Sequence, residues 1–157
     1  MNPVMETSVG ALFLGLETTL SLKGRSYRMT AVDSVADQCV SRPDLEPELV
    51  SESLRADTRG AEAILYRISV ARLGAVSPME YGGRFLEHDR ALLESAGVPT
   101  VVLVSGPGAY LDIIAALPCT VIAWRQAETP AEPASLGAAC LTCTDAEGAD
   151  LLLEVGE

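Results

Sequence analysis

The chain has 157 residues, 48% of them hydrophobic, which suits one domain with a sizeable core. It carries 11 Lys and Arg against 22 Asp and Glu, a formal net charge of −11, and only Lys23, Arg25 and Arg28 cluster among the basic residues; such a balance repels phosphate backbones and anionic headgroups and argues against a nucleic-acid partner. No apolar run is long enough to span a bilayer and the amino terminus, MNPVMETSVG, lacks a secretory pattern, so no membrane partner and a cytoplasmic location are expected, with the four cysteines as free thiols.

Strand-like and helix-like patterns alternate along the chain. Ala11 to Leu22 reads as a strand running into a turn or short helix at Lys23-Gly24. Pro43 to Arg59 carries Leu45, Leu49, Val50 and Leu54 at helical spacing with acidic residues early, and Gly60 closes it. Ala63 to Val70 reads as a buried strand. Ser77 to Ala96 is a helix with an N-cap serine, a proline in its first turn and Glu80 at the capping-box position; Phe85, Leu86, Leu92, Leu93 and Ala96 form its apolar face and Gly97 ends it. A strand over Thr100–Val104, a helix over Ala109–Leu117 and a strand over Thr120–Trp124 follow, then a loop around Pro130 and Pro133. Ala139 to Thr144 reads as another strand and Glu147 to Val155 as a last helix.

The pattern is a βα repeat of about five units with strands buried on both faces, which predicts an α/β protein with a parallel sheet in a single domain spanning residues 1–157. An open doubly wound sheet and a barrel both satisfy it.

The order of segments resembles the uroporphyrinogen decarboxylase family. Gly15-Leu16-Glu17-Thr18-Thr19-Leu20, Gly60-Ala61-Glu62 with the strand ending at Tyr66, Val76-Ser77-Pro78-Met79-Glu80-Tyr81, Thr120 to Trp124 and Cys140 to Asp145 are similar to that family's segments, over roughly residues 11 to 150. The resemblance implies a relative of a complete (β/α)8 barrel, truncated at both ends. The family's amino-terminal arginines and aspartate and its closing strands have no counterpart here. Where methyltransferase relatives carry zinc ligands stand Leu103, Val104 and Ser105, none of them an imidazole or thiolate, so neither zinc-dependent transfer nor the ancestral decarboxylation is expected. Five units cannot close an eight-stranded barrel, so the reading is a partial barrel-derived sheet completed by homodimerisation or by a partner chain.

Parallel sheets bind ligands at the carboxyl ends of their strands. Arg67 and Arg125 there are candidates for a substrate carboxylate, Ser69 and Gly106 for further substrate contacts, and Trp124 for an apolar wall. Tyr66, Ser105 and Asp145 are the candidate catalytic groups, as hydrogen-bond donors and a proton carrier. Each also has an ordinary role: core aromatics for Tyr66 and Trp124, solvated or ion-paired arginines, a helix N-cap for Asp145. His88, the one histidine, falls mid-helix and away from the strand ends. Cys140 and Cys143 lie inside a strand and point to opposite faces, and Gly106-Pro107-Gly108 lacks a phosphate-loop pattern, so no metal or other cofactor is expected. These features suggest a small metal-independent biosynthetic enzyme, with a decarboxylase-like lyase as the candidate reaction class, acting on an organic acid or polyketide-like molecule. The alternative is a non-catalytic subunit or ligand-binding domain.

Overall fold

Two short strands, β1 (Ala11–Phe13) and β2 (Thr19–Leu22), lead into a nine-residue strand, β3 (Arg25–Asp33), in the computed structural model. It describes the backbone of residues 11–13, 19–22, 25–124, 128–130, 141–145 and 152–156, and the side chains of residues 27–124 and 128–130. Helices α1 (Val35–Ser41) and α2 (Pro47–Asp57) precede β4 (Ala63–Ile68). A helical stretch then runs from α3 (Pro78–Glu80) through a π-helical turn (Tyr81–Phe85) into α4 (Leu86–Glu94). Next come β5 (Thr100–Val104), α5 (Leu111–Ile114), β6 (Val121–Trp124), β7 (Leu141–Asp145) and β8 (Leu152–Gly156).

The sheet from β3 through β6 is parallel, as the βα alternation predicts. β7 adds to β6 in the same direction. The remaining pairings are antiparallel: β2 on β3, β1 on β2, β8 on β7 and β1 on β8, so the pairing order closes on itself. This differs from the expected parallel sheet with two open edges. Short strands of the same chain take up the ladder hydrogen bonds on both flanks of β3–β6, and edge cover by a second copy is not needed for those flanks.

Other differences are local. The expected helix over Glu147–Val155 is replaced by β8, because a short apolar run such as Leu151-Leu152-Leu153 fits either element and the ladder to β1 and β7 decides it. Residues 11–22 hold two strands. α1 has no counterpart in the pattern reading, although Ser34 caps it by accepting from the Asp37 amide at 3.0 Å.

Alternation in the strands sorts their side chains into two faces. Ile64, Tyr66, Ile68, Val102, Val104, Ile122 and Trp124 pack with Val35, Ala36, Leu54, Phe85 and Leu92 between sheet and helices. Each large aliphatic or aromatic side chain enclosed there contributes about 1.5–3 kcal/mol. The opposite face carries Ala63, Leu65, Val101, Val121 and Ala123, all buried. No helix among the described residues is long and apolar enough to cross a membrane.

Candidate functional site at the strand ends

The loops leaving β4, β5 and β6 are tied to one another through their backbones. After β4, Ser69 donates both its N–H, at 2.9 Å, and its hydroxyl, at 2.7 Å, to the Asp37 carboxylate, and the Val70 N–H joins them at 3.1 Å. Asp37 stands in the first turn of α1, where the helix dipole favours a carboxylate. Burial nevertheless raises its pKa, partly offset by the hydrogen bonds from Ser69 and Val70.

After β5, Ser105 donates its N–H to Ile68 O at 3.0 Å. Gly106 takes φ +95° and Gly108 φ +70°, both favourable only for glycine. The Gly106 N–H donates to Glu128 Oε1 at 3.1 Å, the Ala109 N–H to Thr129 Oγ1 at 3.1 Å, and the Thr129 hydroxyl to Gly106 O at 3.2 Å. Arg72 pairs as an isolated bridge with Ala109, and its Nε donates to Ser69 O at 2.8 Å. The Ser-Gly-Pro-Gly turn is thus a strand-to-helix corner bound on both sides by neighbouring loops.

On the face turned away from the helices, the register places Asp33, Arg67, Leu103 and Ala123 side by side across four strands. Arg67 Nε lies 3.1 Å from Asp33 Oδ1, with the two side chains 44% and 56% exposed, so the pair is open to solvent. Leu103 is half-buried and Ala123 buried. The row therefore passes from charged to apolar within the width of the parallel sheet.

Beneath the sheet lies a second polar cluster. Asp89 of α4 is fully buried and accepts hydrogen bonds from Tyr66, on Oδ1, and from Tyr81, on Oδ2 at 2.8 Å. The Tyr66 hydroxyl accepts in turn from the Val35 N–H at 3.0 Å. Burial pushes the Asp89 carboxyl up to about 7 against the lowering effect of both tyrosines, and burial beside that carboxylate raises both phenols well above their usual range. Asp89 can thus hold a proton near neutrality, but from a position fully enclosed by the sheet and helices.

The chain has no match among protein-family models, curated proteins or solved structures.

Arg67, Ser69, Ser105 and Gly106 fall at the strand ends, as expected. Tyr66 does not: it points into the helix-facing layer and its hydroxyl is taken by Asp89. Trp124 is enclosed in the same core rather than lining a cleft. Arg125 lies outside the described residues, and Asp145 is described only as the last residue of β7. His88 sits on α4 with Nε2 3.9 Å from Glu48 Oε1, away from the strand ends. Among the described residues no three His, Cys, Asp or Glu side chains converge as a metal site would require.

The pattern reading missed Asp37, Tyr81 and Asp89. Asp37 was readable as the third residue after the Ser34 cap. Asp89 was readable from helical phase, since it falls in one stripe with Phe85, Leu92 and Leu93.

Proposed function

We propose that the chain is a small-molecule-binding α/β domain that holds an organic acid over the carboxyl ends of its parallel strands, with the ligand carboxylate on Arg67. The Asp33–Arg67–Leu103–Ala123 row carries this reading. Asp33 engages Nε and fixes the plane of the guanidinium, which leaves its two terminal nitrogens for a second carboxylate. Leu103 beside it, half-buried, offers apolar contact to the ligand's carbon skeleton. Strand carboxyl ends are also where parallel sheets generally bind ligands. Kinship with the uroporphyrinogen decarboxylase family belongs to this proposal through that location and the parallel βα order.

Binding is better supported than turnover. A decarboxylase-like reaction needs a group that delivers or accepts a proton at the ligand. The Tyr66 hydroxyl is committed to Asp89 beneath the sheet and the Ser69 hydroxyl to Asp37, so neither is presented at the Arg67 row.

The test is a titration with a panel of mono- and dicarboxylates, followed by amide chemical-shift mapping and calorimetry. Shifts should concentrate at Arg67, Ser69, Leu103 and Ser105, and Arg67→Gln should weaken binding about ten-fold or more. Carboxylate binding that is indifferent to Arg67→Gln would sink the proposal.

A further inference from the structure

At the opposite end of the sheet, where β4 begins, a cleft of about 370 Å³ opens between the carboxyl-terminal turns of α2 and α4. Arg55 and Arg59 line one side, Ser95 sits at its edge, and Ala96, Val98 and Ile64 supply apolar wall. Arg55 Nε lies 3.4 Å from Ser95 Oγ, and neither guanidinium is within ion-pair distance of a described carboxylate. Among the arginines with described side chains, Arg42, Arg67, Arg84 and Arg90 have described acidic partners, whereas Arg55 and Arg59, like Arg28 and Arg72, do not.

Charge bookkeeping narrows the ligand. Each helix carboxyl terminus contributes roughly half a negative charge, so two of them offset about one of the two guanidinium charges. Asp57 and Glu94 close the same two helices without lining the cleft, so its net positive charge is small, which suits a monoanion better than a dianion. The Ser95 hydroxyl donates to Leu92 O at 2.9 Å and the Thr58 hydroxyl to Leu54 O at 2.8 Å, so the guanidiniums remain the principal side-chain donors for a ligand. The apolar wall asks for a hydrocarbon body behind the anionic head.

We infer that this cleft is a second binding site, separate from the strand ends, for an amphiphilic monoanion such as an aromatic or short aliphatic carboxylate. The head group lies between Arg55 and Arg59 and the body against Ala96 and Val98.

Chemical-shift titration of the full chain with benzoate, and in parallel with inorganic phosphate, tests it. Benzoate should give saturable shifts at Gly60, Ala61 and Ala96. The double variant Arg55→Gln/Arg59→Gln should weaken that binding about ten-fold or more while leaving the thermal midpoint close to wild type, because both side chains are exposed. Arg67→Gln should leave these shifts unchanged, which separates this site from the strand-end proposal. The absence of saturable shifts in the cleft, or their persistence in the double variant, would overturn the inference. Phosphate binding as tightly as benzoate would overturn the assignment to an amphiphilic monoanion.

Discussion

Tyr81 donates its hydroxyl to Asp89 Oδ2 at 2.8 Å across eight residues of one helical stretch. In an uninterrupted α-helix two residues so spaced are rotated by about 80° from one another. The π-helical turn at Tyr81–Phe85 inserts one residue, which brings them to within about 20° of a common line. Gly82 and Gly83 in that turn lower the backbone's preference for regular α geometry, which eases the departure into a wider turn. The local irregularity thus completes a buried carboxylate whose other oxygen is held by β4.

Removing one hydroxyl should expose the cost of that arrangement. Tyr81→Phe leaves Asp89 Oδ2 buried without its donor and should cost about 1–3 kcal/mol, read from urea unfolding. The pH dependence follows from the raised carboxyl. Asp89 titrates at about 7 when folded, against 3.8 for an unperturbed carboxyl. Between these values the folded chain keeps a proton that the unfolded chain has lost. This contribution to stability is therefore full below about pH 4, declines as pH rises and is lost once pH passes 7. Stability measured at pH 5 to 8 for wild type minus that of Asp89→Asn should fall with rising pH. A constant difference would mean that Asp89 does not titrate in this range.

Asp37 is expected to act on the loop rather than on the core. Its carboxylate receives the Ser69 N–H and hydroxyl and the Val70 N–H, so Asp37→Ala frees the exit of β4. Loss of these bonds to a charged acceptor should cost about 1.5–3 kcal/mol. Asp37→Asn should cost less, because one amide oxygen can still accept from both N–H groups. Hydrogen exchange provides the local readout: Ser69 and Val70 amides should exchange faster in Asp37→Ala, while amides of β5 change only with global stability. Equal acceleration throughout the sheet would contradict a local tether.

Sequence pattern served best where one element's own residues decide its shape. Ser77 caps the helical stretch by accepting from the Glu80 N–H at 3.1 Å, β5 occupies Thr100–Val104 as read, and Gly60 and Gly97 take the positive φ values that end α2 and α4. It failed where distant partners decide. β8 is a strand because β1 and β7 lie beside it, and Tyr66 reads equally as a strand-end donor or a core aromatic until the strand's face is known. Asp89 sits among Glu87, His88 and Arg90, so composition marks a solvated face while phase marks the core. Phase prevails, because the two tyrosine hydroxyls satisfy the carboxylate that burial would otherwise leave without partners.

The corner after β5 gives the sharpest test of the loop architecture. Gly106, at φ +95°, would place an added Cβ against the Cδ of Arg72, whose Nε is held at 2.8 Å by Ser69 O. Gly97, at φ +69°, would place one in open space. Gly97→Ala should thus show backbone strain alone, about 1 kcal/mol. Gly106→Ala should show strain plus crowding, about 2–4 kcal/mol in all. Adding Arg72→Ala to Gly106→Ala should return part of that loss, because the clash disappears while the strain stays. Equal losses at Gly97 and Gly106, with no recovery in the double variant, would mean that the loop leaving β4 does not press on the corner after β5.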